Sequence, residues 1–232
     1  MIQLLPFDSN LFGYSVGSLL WEETSKESLL LEEAKDFKLV YIFSDQALFF
    51  THPHILQVDI KITFEKQLLP GNPVKGILPF EKEHLLTITS EEREMLRFLA
   101  LESGKFSRFR LDPRLTHDEF ERLYRFWIDQ AMISGNLLQA EKNKGMVSFS
   151  QKKEKGKIEL IAVNPENQQM GWGKKLVQAA EHLLFERGVK TLQISTQESN
   201  LPAMHLYKNL GYQITEKTFV YHYWRGSQFI TS

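Results

Sequence analysis

Gly171 and Gly173, one residue apart, have the spacing in this chain that most plainly suggests chemistry. They follow Gln168, Gln169 and Met170, flank Trp172 and precede Lys174 in the segment IELIAVNPENQQMGWGK. Glycine tolerates the tight backbone conformations that turn successive N–H groups the same way. A helix expected over residues 174–187 adds the unpaired N–H groups of its first turn and the positive end of its dipole. Together these seat a pyrophosphate on main chain alone. Residues 158–163 read as the strand leading in, and Pro165 closes it because proline cannot extend a ladder. Two better-known phosphate motifs are excluded. A dinucleotide fingerprint needs a third glycine where Leu176 stands, and a P-loop needs a wider glycine spacing and a Ser or Thr after its lysine.

A second segment, TLQISTQESNLPAMHLYKNLGYQI over residues 191–214, carries the next group. Residues 191–196 alternate as a strand should, with Leu192 and Ile194 as the apolar positions. Asn200 is an N-cap type and Pro202 suits a first helical turn. The helix carries Ala203, Met204, Leu206, Tyr207 and Leu210 and stops at Gly211. Tyr212, Ile214 and the aromatic run 219–224 are expected to form a terminal pair of strands.

In this order the two segments resemble the Gcn5-related N-acetyltransferase (GNAT) superfamily. Gln168-x-x-Gly171-x-Gly173 matches its [RQ]-x-x-G-x-[GA] acetyl-CoA motif, and Asn200-x-x-Ala203-x-x-x-Tyr207-x-x-x-Gly211-Tyr212 matches its second motif. The resemblance covers residues 85–232. It implies an α/β (α+β) fold whose mixed, mostly antiparallel central sheet is splayed between two strands and flanked by helices. It implies acetyl-CoA as donor cosubstrate, with the pantetheine arm on the main chain of Ile161, Ala162 and Val163. Gln168, Gln169, Met170, Gly171, Trp172, Gly173 and Lys174 would hold the pyrophosphate, with Asn200, Ala203 and Tyr207 completing the donor site. Tyr207 resembles the superfamily's general acid, a phenol that protonates the departing thiolate. Without the motif, an aromatic packed at helical spacing with Met204 and Leu210 would be the simpler account. A narrower likeness, to the TDP-fucosamine acetyltransferase family, rests on Asp8-Ser9-Asn10-Leu11-Phe12-Gly13, Ser107-Arg108-Phe109-Arg110, Phe126-Trp127-Ile128 and Ser195-Thr196-Gln197. It implies an acceptor amine on a TDP-linked amino-dideoxy sugar.

Three further side chains are candidates by type. Glu159, on the strand, could take the acceptor's proton and is expected to share a face with Ile161 and Val163 through strand alternation. A solvent-facing charge fits the same position. Arg108 and Arg110, in an expected loop, could bind a diphosphate bidentately, although surface arginines are common. Trp172 could stack on a base, and rim packing is the plainer alternative.

The composition sets limits. At 232 residues, 42% apolar and 25% charged, the chain suits one large globular domain or two small ones. A formal net charge of −1 offers no general attraction to nucleic acid, so phosphate binding must be local. KKEKGK at 152–157 reads as a hairpin tip. The absence of cysteine removes thiolate metal sites and a cysteinyl acyl-enzyme, so that for an acetyltransferase, as the resemblance implies, direct attack by the acceptor amine on the thioester is expected, and no metal is expected. No signal peptide is evident, and the apolar run 39–50 is interrupted by Ser44, Asp45 and Gln46. A cytoplasmic protein without membrane insertion is expected; a homodimer is compatible with this reading.

These groups need a frame. Strands are expected over 16–20, 39–43, 47–51, 57–64, 137–140 and 145–151. Helices are expected over 26–35, from Ser90, and from Thr116 as a cap. Leu69-Pro70-Gly71-Asn72-Pro73 opens a linker to about residue 84. This divides the chain into an N-terminal α/β subdomain, 1–84, read as a partial GNAT-like unit, and an acetyltransferase domain, 85–232.

Overall fold

The computed structural model describes residues 1–115 and 117–226. Its strands are β1 (Gln3–Leu4), β2 (Val16–Leu20), β3 (Leu39–Ser44), β4 (Ile55–Gln67), β5 (Ile77–Pro79), β6 (Leu137–Ala140), β7 (Gly145–Lys152), β8 (Lys155–Val163), β9 (Thr191–Gln197) and β10 (Gln213–Trp224). They form one sheet in the order β1-β2-β3-β10-β4-β9-β8-β7-β6-β5. The pairings are antiparallel except β2 with β3 and β8 with β9. The helices are α1 (Pro6–Phe12), α2 (Glu27–Glu33), α3 (Ser90–Ser103), α4 (Arg108–Leu111), α5 (His117–Ser134), α6 (Trp172–Glu186) and α7 (Leu201–Asn209). The mixed, mostly antiparallel sheet flanked by helices is the architecture the sequence led us to expect.

Helices cover both faces of the sheet. On one, Leu96, Leu99, Phe109, Phe120 and Ile128 of α3, α4 and α5 pack against Leu160 and Ala162 of β8. On the other, Leu176, Val177, Met204 and Tyr207 of α6 and α7 pack against Phe64, Val147 and Ile158. Leu30 of α2 closes a third cluster with Val40, Ile42, Tyr221 and Tyr223. Burial of each such side chain contributes about 1.5–3 kcal/mol, which is why strands enclosed on both sides are apolar runs such as LVYIF in β3.

Several local expectations change. The terminal pair of strands is a single strand, β10, paired with β3 along one edge and β4 along the other. Residues 215–218, Thr-Glu-Lys-Thr, lack a turn former, and the long β4 gives the whole strand a partner. β4 thus inserts between β10 and β9, so strands from residues 1–84 and from 85–232 share one sheet. Residues 47–51 are not a strand. Leu48 N donates to the Tyr221 hydroxyl at 2.7 Å, and that hydroxyl donates back to Leu48 O at 3.2 Å. Glu27 accepts from the backbone of Thr51 and His52, so side chains satisfy this backbone in place of a ladder. α3 is capped by Thr89, whose hydroxyl accepts from Glu92 N. The Thr116 cap lies outside the described residues. Arg108 and Arg110 lie in the short helix α4, not in a loop.

Candidate active site

β8 and β9 part company partway along their length. Their parallel pairing runs from Lys155–Thr191 to Ile158–Ile194, yet β8 continues to Val163 and β9 to Gln197. On its other edge β8 stays paired with β7 throughout, Ile161 with Val147, Ala162 with Met146 and Val163 with Gly145. The main chain of Ile161, Ala162 and Val163 therefore presents an open edge toward β9, shaped for an extended ligand to add itself as a strand.

The following turn leads to the head of α6. Asn164 Oδ1 accepts from Glu166 N at 3.2 Å and fixes the exit from β8. Gln169 and Gly171 then take left-handed conformations, φ 62 and 80. For Gly171 this is the N-cap position, which only glycine fills without steric cost. α6 starts at Trp172, two residues before the expected Lys174. No side chain caps its N-terminus and no acidic residue stands in its first turn. Those N–H groups, the helix dipole and the left-handed residues before it form a site for an anion. A Cβ on Gly173 would lie 3.3 Å from Leu206 Cδ2 and 3.8 Å from Val163 Cγ2, so the head of α6, the end of β8 and α7 converge. Gln168 Nε2 reaches Val163 O at 3.5 Å, and Met170 is exposed. Trp172 is buried between Lys144 and Lys175, whose ammonium groups lie 4.4 and 4.3 Å from its ring. An uncapped helix head beside an open strand edge fits the pyrophosphate and pantetheine of acetyl-CoA.

Asn200 and Tyr207 lie across the opening. Asn200 Oδ1 accepts from Ala203 N at 3.4 Å, capping α7, while its Nδ2 donates to Thr196 Oγ1 at 3.2 Å and ties that helix to β9. Tyr207 is buried and packs edge-on to Phe64, ring centroids 5.6 Å apart. Phe64 pairs with Ile194, the residue at which β8 and β9 separate, so the phenol is level with the fork. Burial pushes it above its ordinary pKa, so it is protonated at neutral pH and able to donate.

The carboxylate expected on the strand is placed otherwise. A register shift leaves Ser148 opposite Leu160 and Phe149 opposite Ile158, with Glu159 as the extra residue of a bulge. Ile161 and Val163 consequently pack toward α6, Leu160 and Ala162 toward α3. Glu159 accepts from Ser150 Oγ at 2.7 Å and pairs with Lys157 Nζ at 2.6 Å. Ser150 alternates with Phe149, which faces α6, so Glu159 does not share the face of Ile161 and Val163. Alternation predicted that it would, but the bulge reverses the phase.

A polar group that the motifs did not reveal lies on the α4 face. The Arg108 guanidinium stacks over Phe109 and Tyr41 at 4.3 and 4.9 Å, and its Nε is buried without a partner among the described residues. Arg110, exposed, lies 5.5 Å from the Phe120 ring. Burial raises the Asp59 carboxyl to about 6, opposed by the Arg108 charge and hydrogen bonds from Ile60 N and Gln197. Burial also raises Asp8. Asp112 is fully enclosed and accepts from Arg114 Nε at 2.9 Å and Trp224 Nε1 at 2.9 Å, with His222 Nδ1 at 2.7 Å. Burial disfavours its charge, but the His222 and Arg114 hydrogen bonds prevail and hold its carboxyl well below the usual range. Burial lowers His222 to about 4, leaving the ring neutral. A groove of about 450 Å³ opens where β4, α4 and the β9–α7 turn meet, lined by Val58, Asp59, Ile60, Leu111, Glu198 and Ser199. A larger cavity, about 610 Å³, lies at the far sheet edge around Leu19, Trp21 and Lys26, away from the glycine turn.

Residues 95–212 match the Acetyltransferase (GNAT) family, and the chain belongs to it. That family draws its acetyl group from acetyl-CoA. A mycothiol acetyltransferase of Thermomonospora curvata is 31% identical over 90 residues, covering 37% of this chain and 29% of that protein. One from Arthrobacter sp. is 37% identical over 57 residues, covering 25% of this chain and 18% of the relative. The chain thus spans less than a third of the curated relatives it matches. Among solved structures, a conserved Staphylococcus epidermidis protein of unknown function superposes with a TM-score of 0.61 at 11% identity, covering 89% of this chain and 84% of the other. A GCN5-related N-acetyltransferase from Sphaerobacter thermophilus gives 0.56 at 14% identity, covering 94% and 76%. At these identities the likeness is one of fold. Among the described residues no helix is long and apolar enough to cross a membrane.

Proposed function

We propose that the protein transfers acetyl from acetyl-CoA directly to a primary amine of a small molecule. The observation that carries this reading is the fork between β8 and β9, beside the uncapped head of α6 and level with the buried Tyr207 phenol. Acetyl-CoA supplies the activated thioester. The main chain of Ile161, Ala162 and Val163 holds its arm, and the N–H groups from Gln168 to Lys174 hold its diphosphate. Asn200 and Ala203 fix the start of α7 so that Tyr207 can give its proton to the leaving sulfur. With no cysteine in the chain to carry the acyl group as a thioester, the amine attacks directly.

For the acceptor we propose the 4-amino group of a TDP-linked amino-dideoxy sugar. Arg108, whose Nε has no partner among the described residues and lies among aromatic rings, suits a nucleotide diphosphate, and Arg110 adds charge to the same segment. The names of the sequence relatives favour a second reading, acetylation of the kind carried out by mycothiol acetyltransferases. In a third, the fold binds acyl-CoA without turnover. Thiol release from acetyl-CoA, measured with TDP-4-amino-4,6-dideoxygalactose beside a panel of small and peptide amines, separates the three. Release with the TDP-sugar is expected; release with other amines alone refutes the sugar, and tight acetyl-CoA binding without any release refutes catalysis.

A further inference from the structure

We propose that Asp59, contributed by β4 in the N-terminal segment, is the proton acceptor for the amine substrate; this rests on the acetyltransferase reading above. β4 is antiparallel to β9, with Lys61 opposite Gln197 at the end of β9. Asp59 therefore stands two residues, about 7 Å, beyond the end of β9, at the same end of the sheet as the fork. Ile60 and Ile62 pack toward α6 and α7, and strand alternation turns Asp59 to the opposite face, beneath α4. There it lines the groove with Leu111 of α4 and the Glu198–Ser199 turn that leads from β9 to the Tyr207 helix.

The groups around it single out this carboxylate. Glu198, the groove's other acid, is paired with Lys217 Nζ at 2.8 Å, whereas Asp59 has no ion pair among the described residues. Glu159 is committed to Lys157 and Ser150. The groups acting on Asp59 are Arg108 from α4, Lys61 from its own strand, and the Gln197 side chain, while Tyr124 of α5 feels its charge. Burial outweighs them and brings the carboxyl to about 6, close to where a general base works best. The proton count closes. The acceptor ammonium gives one proton to the Asp59 carboxylate, directly or through a water, and the free amine attacks the thioester carbon. The C–N bond forms, the C–S bond breaks, and the sulfur takes the Tyr207 proton. The surplus proton on the new amide nitrogen restores Tyr207, and Asp59 releases its proton to solvent.

The test uses the amine that turns over fastest in the thiol-release panel, with kcat/KM followed over about pH 5 to 9 for the parent, Asp59→Asn and Glu159→Gln. The parent is expected to gain activity through a limb near pH 6. Asp59→Asn should lose that limb and about 100-fold or more in kcat/KM while binding acetyl-CoA as before. Hydroxylamine, uncharged at neutral pH, needs no base, so with it the gap between parent and Asp59→Asn should narrow. The proposal is overturned if Asp59→Asn keeps the limb, if its loss is as large with hydroxylamine, or if Glu159→Gln loses the limb instead. A parent chain that acetylates no amine removes the acetyltransferase reading and the role of Asp59 with it.

Discussion

Asp59→Asn should stabilise the fold at neutral pH even as it slows turnover. Burial raises this carboxyl from 3.8 to about 6. A folded-state pKa above the unfolded one means that the stability is complete below the unfolded value. It is lost progressively as pH rises through the folded one. At about 1.4 kcal/mol per unit, the ionised parent forfeits at most about 3 kcal/mol by pH 8. Solvent at this partly exposed carboxyl lowers the expected value to about 1–3 kcal/mol. Asparagine cannot ionise and keeps that stability. For a chain of this length each kcal/mol moves Tm by about 2–4 °C, so the gain should be about 2–12 °C near pH 8 and should shrink near pH 4. Circular dichroism melts of both proteins at the two pH values measure it. The altered hydrogen bond from Gln197 is common to both conditions, so the change in the difference is what counts. A Tm difference that is the same at both pH values, or one that favours the variant more near pH 4 than near pH 8, would refute a carboxyl held charged against its burial.

Tyr207→Phe should bind acetyl-CoA with unchanged affinity by calorimetry and turn over at least about tenfold more slowly; equal turnover removes the phenol from the reaction. Gly173→Ala places a methyl 3.3 Å from the flexible end of Leu206, and better helix propensity offsets about 1 kcal/mol of that crowding. Its Tm should hold, while acetyl-CoA affinity drops by about tenfold, the worth of one main-chain hydrogen bond; unchanged affinity moves the cradle elsewhere. Asp112→Ala leaves His222 and Trp224 without this acceptor and Arg114 with only His54 O, and should cost about 3–5 kcal/mol, lowering Tm by about 6 °C or more. A smaller drop would mean that water replaces the carboxylate.

Much of the backbone around the proposed donor site was legible because its signals are local. The tight glycine turn at Gly171, Asn200 as a cap and the strand up to Val163 each depend on a few neighbouring residues. What escaped depends on partners far along the chain. The bulge at Glu159 exists only against β7, and its reversal of the face cannot be seen in the β8 sequence alone. The Asp112–His222 contact spans 110 residues and carries no periodicity. Asp59, in an ordinary strand pattern, acquires its raised carboxyl from the burial that α4 and β9 impose. The single long β10 likewise required knowing that β4 would lie beside it.

The position of β4 has a consequence for how the molecule comes into being. Both its neighbours, β9 and β10, come later in the chain, so a ribosome delivers β4 more than 120 residues before either can pair with it. Until then this thirteen-residue strand has two bare edges, and the centre of the sheet cannot close. Such distant pairing slows folding and exposes the unpaired strand to aggregation in the meantime. It also means that the fork and the groove beside Asp59 are completed by the same late docking event, so neither site exists before the other.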